Sequence, residues 1–133
     1  MSLYAIGDLH LSLGVEKSMD VFGGRWSNYV EKISEGFAPL CDSDMTVICG
    51  DITWGMTMEE ALPDFLFIDK LPGKKIILKG NHDYWWTTAT KTKNFFNFRR
   101  NLHRYFSYIS LCVALGGNHT ITLLLALFDS TIE

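Results

Sequence analysis

Asp8 and His10 stand two residues apart in "GDLH", Asp51 follows a glycine in "CGDITWG", and Asn81, His82 and Asp83 run together in "KGNHDYWW". Carboxylate, imidazole and amide oxygen are the donors that hold Zn, Mn or Fe. In an extended segment, the i, i+2 spacing of Asp8 and His10 places both side chains on one side. A carboxylate has two oxygens, so one Asp can bridge two ions. Two ions roughly 3.5–4 Å apart can clamp a phosphoryl group and activate a water. Taken singly, each residue is ordinary. Asp after Gly at a strand end is commonly a turn or a helix cap, and Asp83 could cap a following helix. Three such clusters in one short chain call for a common explanation.

The elements that position these residues are short. Leu3–Ile6, Met45–Cys49 and Lys75–Leu78 are four- or five-residue runs rich in Ile, Val and Leu. Each stops close to a glycine, which predicts buried strands. Between the first two, apolar residues at Trp26, Tyr29, Val30, Ile33 and Phe37 predict a helix, capped by Ser27 or Asn28 and closed by Pro39. Between the last two, Met58–Leu71 predicts a second helix, and Thr57 with Glu60 has capping-box spacing. Pro63 predicts an irregular first turn or a later start. Strand–helix alternation implies a mostly parallel sheet, and right-handed crossovers bring the strand ends to one edge. Ligands gather at the carboxyl ends of such strands. Beyond Trp86, Thr88–Phe98 could form a helix and Tyr108–Leu115 a strand, followed by a further apolar run at Ile121–Phe128.

"GDLH", "GDITWG" and "KGNHD", in this order and each after a strand, resemble the first three motifs of the calcineurin-like metallophosphoesterases, with a bacterial phosphohydrolase as the expected type. The resemblance covers roughly residues 1 to 90. It implies an α/β fold, the first sheet and helices of an αββα sandwich. It implies phosphoester hydrolysis by water activated at a dinuclear site of two divalent ions (Mn, Fe or Zn). Asp8 and His10 would bind the first metal, Asp51 would bridge both, and Asn81 would bind the second. His82 would face the phosphate as general acid, and Asp83 would hydrogen-bond it and keep it oriented and protonated. Arg25, in "FGGRW", could present its guanidinium fork to the substrate phosphate. It could equally follow a glycine turn into the helix.

The family pattern continues with a lone His and then G-H-x-H. Only His103 and His119 remain, and neither lies in such a motif. Two readings follow: an active hydrolase that completes its site elsewhere, or a catalytically inactive fragment that binds one metal ion. The charge also changes along the chain. Residues 1–83 hold 13 acidic and 7 basic residues, whereas no Asp or Glu occurs from Tyr84 to Phe128. The expected division is therefore residues 1–96 as the N-terminal part of the phosphoesterase domain and 97–133 as an atypical tail, shifted in frame near Lys93–Asn97 or truncated.

A chain of 133 residues with 47% apolar content can bury one core. A net charge of −3 makes no case for a nucleic-acid scaffold. The first residues lack the basic region of a secretory signal, and the apolar runs are too short and broken for a membrane span. Cys41, Cys49 and Cys112 form no metal-like pair and fit buried thiols in a reducing cytoplasm. The expected partners are a phosphoester substrate and, through an uncovered apolar sheet face, further copies of the chain.

Overall fold

A computed structural model describes residues 1–88, 90–92 and 94–95, together with the backbone of the strand Phe106–Ser110. Four strands, β1 (Leu3–Ile6), β2 (Met45–Ile48), β3 (Lys74–Leu78) and β4 (Phe106–Ser110), pair in parallel in the order β1-β2-β3-β4. Parallel neighbours need a crossover. Helix α1 (Tyr29–Phe37) supplies it between β1 and β2, and α2 (Met58–Lys70) between β2 and β3. The expected α/β architecture is thus present.

Crossovers of one hand, all stepping in one direction, stack their helices on one face. Burial alternates accordingly. Thr46, Ile48, Lys75 and Ile77 are buried. Ile48 and Ile77 join Tyr29, Ala61, Phe65 and Ile68 in a single core cluster. Each fully buried aliphatic side chain contributes roughly 1.5–3 kcal/mol. On the opposite face Met45, Val47, Ile76 and Leu78 are half-buried, and Leu3 and Ala5 are exposed.

Lys75 is the unusual member of the helix-side face. It is 1% exposed, and its ammonium donates to the Leu71 carbonyl at the end of α2. A cation suits the negative end of a helix. Burial nevertheless brings its pKa down to about 8, against the opposing pull of Asp69 and Asp42.

The start of α1 differs from expectation, whereas that of α2 is as expected. α1 begins at Tyr29 because the chain before it is folded into 3-10 turns at Met19–Phe22 and Gly24–Trp26. Asn28, with a left-handed φ of 53°, redirects the backbone, and its N–H donates to Asp20 Oδ1 at 2.6 Å. Its own side chain caps nothing. α2 begins at Met58 and runs through Pro63 without a late start. Thr57 Oγ1 accepts from Glu60 N at 3.2 Å, whereas Glu60 Oε2 accepts from Met56 N at 2.7 Å, one residue before the cap.

Cys41 and Cys49 are exposed rather than buried. Cys49 lies just past β2, with the parity of Val47, and so points to the open face. Residues 90–92 and 94–95 are helical, within the helix expected at Thr88–Phe98. The boundary at residue 96, His103, Cys112, His119, the strand positions after Ser110 and the run Ile121–Phe128 lie outside the described residues. Among the described residues, no helix is long and apolar enough to cross a membrane.

Candidate metal centre

The carboxyl ends of β1, β2 and β3 meet at one edge of the sheet. Past the strands, the first two segments stay paired. Asp8 N donates to Gly50 O at 3.2 Å, His10 N to Asp51 O at 3.0 Å and Leu11 N to Ile52 O at 2.9 Å, and Trp54 N returns a bond to Leu11 O at 2.8 Å. Gly50 and Gly80 let the β2 and β3 ends come together. A Cβ on Gly50 would strike the Gly80 backbone, and one on Gly80 would strike Asp51. Gly50 also has a φ of 94°, which favours glycine.

Asp8, His10 and Asp51 each offer a ligand atom, and these atoms lie within 4.8 Å of one another. All three residues have left-handed backbones, with φ of 54°, 44° and 50°. Such conformations cost non-glycine residues energy and cluster at functional sites, where the surroundings enforce them. Here the enforcement is visible as the paired backbone between the two segments. A carboxylate–imidazole–carboxylate set brought this close suits a borderline or hard divalent cation. The donor chemistry therefore fits a metal.

His82 engages Asp51 twice. Its backbone N donates to Asp51 Oδ1 at 2.9 Å, and its Nδ1 lies 2.9 Å from Oδ2. Burial works to raise the Asp51 pKa, but these bonds and the charges of His82 and His10 outweigh it and hold the carboxyl below its usual value. Asn81 is exposed on the same turn, its amide 3.3 Å from the His82 ring. No described contact brings Asn81 to the Asp8–His10–Asp51 group.

Asp83 does not orient His82. It is fully buried. Its Oδ2 accepts from Asp51 N at 2.9 Å and Gly80 N at 2.7 Å, and its Oδ1 from Ile52 N at 2.9 Å and Trp85 Nε1 at 3.0 Å. Four donors satisfy the carboxylate: three backbone N–H groups beneath the site and the Trp85 indole. Consecutive side chains on this tight turn diverge, so adjacency in sequence does not become contact. Asp83 is a brace that ties β3's end to β2's.

A second brace, Asp64, was not among the expected site residues. It is fully buried on α2, accepts from Leu13 N at 2.7 Å, and is hydrogen-bonded by Thr53 Oγ1. It thereby holds both the loop after His10 and the loop after Asp51. Burial raises its pKa against those two bonds. The signal was present in the sequence. Ala61, Asp64, Phe65 and Ile68 share helical spacing, which puts a carboxylate on an apolar stripe.

The flanking aromatics divide between packing and lining. Trp85 and Trp86 are buried in the core. Trp54 is half-buried and stacks on the His10 ring, with centroids 4.9 Å apart, and exposed Tyr84 sits edge-on to His82 at 6.1 Å. Arg25 is exposed on the wall of a cleft that Asp8 also lines.

No curated protein and no solved structure matches this chain. The sequence profile of the calcineurin-like phosphoesterases does, over residues 1–129. With left-handed Asp8, His10 and Asp51 gathered where three parallel strands end, the match and the geometry agree: the chain belongs to the calcineurin-like phosphoesterase family.

Proposed function

We propose that this chain hydrolyses phosphoesters, with Asp8, His10 and Asp51 holding one divalent ion (Mn, Fe or Zn) and Asp51 and Asn81 a second. The observation that carries this reading is the convergence of the three ligand atoms within 4.8 Å. Divalent ions at such a position draw charge from the phosphoryl oxygens and lower the pKa of water. Asp51 would serve both ions through its carboxylate, which would require the His82 ring, 2.9 Å from Oδ2, to turn away. Freed in this way, His82 donates a proton to the leaving oxygen. Arg25 meets a phosphoryl oxygen from the cleft side. Asp83 acts beneath the site by fixing the backbone of Asp51 and Gly80. The setting is the cytoplasm, and the sheet face opposite the described helices mediates self-association.

A second reading is a catalytically inactive protein that binds a single ion. It is favoured by one observation: His82 occupies both carboxylate oxygens of Asp51. Mn-dependent hydrolysis of 4-nitrophenyl phosphate, run beside Asp51→Ala, separates the two readings. The hydrolase reading expects turnover that falls by about 10²-fold or more in the variant. Equal background in both samples ends it. Elemental analysis showing one Mn per chain would then support the single-ion reading.

A further inference from the structure

A cleft of about 810 Å³ opens beside Asp8 and runs between β1 and α1. It is far larger than a phosphate requires, and ligand pockets of this size hold whole organic molecules. Its walls include Tyr4, Ile6, Ile33 and Phe37, with Arg25 and Lys32. Asp8 belongs both to this lining and to the candidate metal-ligand group, so one end of the cleft abuts the centre. We propose that the cleft receives the alcohol portion of the substrate, and that this portion is bulky and apolar. The proposal rests on the hydrolase site described above and names its substrate class: phosphoesters of large hydrophobic alcohols, in preference to those of small or polar ones.

The arrangement of charge fits this occupant. Arg25 and Lys32 are exposed, and Lys32 Nζ bonds the Arg25 carbonyl at 3.3 Å. Two cations on one wall favour entry of an anionic ester. Behind them Ile6, Ile33, Phe37 and Leu40 offer no polar partner, the Tyr29 hydroxyl is already engaged with Ser12 and the His10 carbonyl, and only Tyr4 and the buried Thr46 add hydroxyls, so a polyhydroxylated alcohol would lose most of its hydrogen bonds on entering. A hydrocarbon group would lose none and would release water.

Gly36 permits a test that leaves the fold intact. It lines the cleft, and a Cβ built on it meets nothing within 4 Å. Phenylalanine there would project into the cleft, and a helix accepts phenylalanine or alanine better than glycine. Binding of two non-hydrolysable probes, 2-(1-naphthyl)ethylphosphonate and ethylphosphonate, is measured calorimetrically in Mn²⁺ buffer. The native chain is expected to bind the naphthyl probe about tenfold or more tightly. Gly36→Phe is expected to erase most of that preference, and Gly36→Ala to retain it. Equal affinity of the native chain for both probes, no binding of either, or a preference that survives Gly36→Phe would overturn the proposal. Hydrolysis of the matching phosphate esters is followed separately. A preference in binding without turnover would refute the hydrolase reading and leave the cleft assignment standing.

Discussion

Two carboxylates capture backbone N–H groups at opposite ends of the same sheet. At the amino end, Asp44 accepts from Ser2 N at 2.7 Å, Cys41 N at 3.0 Å and Cys41 Sγ at 3.1 Å, joining the starts of β1 and β2. At the carboxyl end, Asp83 accepts from Asp51, Ile52 and Gly80, joining the ends of β2 and β3. The device is shared but the surroundings differ. Around Asp44 the chain has ordinary dihedrals, apart from Gly73 nearby. Around Asp83 stand Asp51 with a left-handed backbone and two glycines that admit no side chain. The amino end needs only to be held together. The carboxyl end must also hold side chains in a geometry the backbone resists.

The sharpest way to break this asymmetry is Asp83→Ala. It strands three buried backbone donors and should cost about 3–5 kcal/mol, read as a lowered denaturant midpoint. Gly80→Ala should come next. The added methyl displaces Asp51, so Mn affinity should fall by more than about tenfold in a titration while the sheet still folds. If Gly80→Ala binds Mn as the native chain does, the close approach of the two strand ends is unimportant to the site.

A pH effect of intermediate size should arise from Lys75, whose ammonium is near 8 in the folded chain against 10.5 when free. The unfolded state therefore binds more protons between these values, and stability should rise as pH climbs from about 8 toward 10.5. Lys75→Met should flatten that part of the profile. Asp44→Asn should have the smallest effect at neutral pH. Bonds from Cys41 and Ser2 hold the Asp44 carboxyl at about 2, below 3.8. Its stabilisation is therefore present above pH 3.8 and lost as pH falls toward 2, and the variant should lose that acid-side slope in a melting series.

The same contrast explains what could be read from the sequence. The first three strands were legible to within a residue, because aliphatic runs ending near glycine leave few alternatives, whereas β4 begins at Phe106, two residues before the expected Tyr108. β1 is Leu3–Ile6 as expected, and β3 begins one residue early at Lys74. The candidate ligand group at the strand ends was legible too, because carboxylate and imidazole chemistry belongs to the residue itself. The role of Asp83 was not. Its partners are backbone groups up to 32 residues away, and its neighbour His82 offered a false one. The start of α1 was misplaced for a related reason. Trp26 has helical spacing, but the left-handed turn at Asn28 is a backbone property that the apolar pattern does not carry.

The order of strands across the sheet is also their order along the chain. Each new strand can dock on its immediate predecessor as it leaves the ribosome, with no vacancy to be held open for a later one. Such sequential wiring favours stepwise assembly, each pairing closing once the intervening helix is made. Asp8, His10 and Asp51 are in place once β2 and its following loop are made, and Asp83 arrives directly after β3 to lock them. The candidate ligand group can thus be set while synthesis of the remaining chain is still under way.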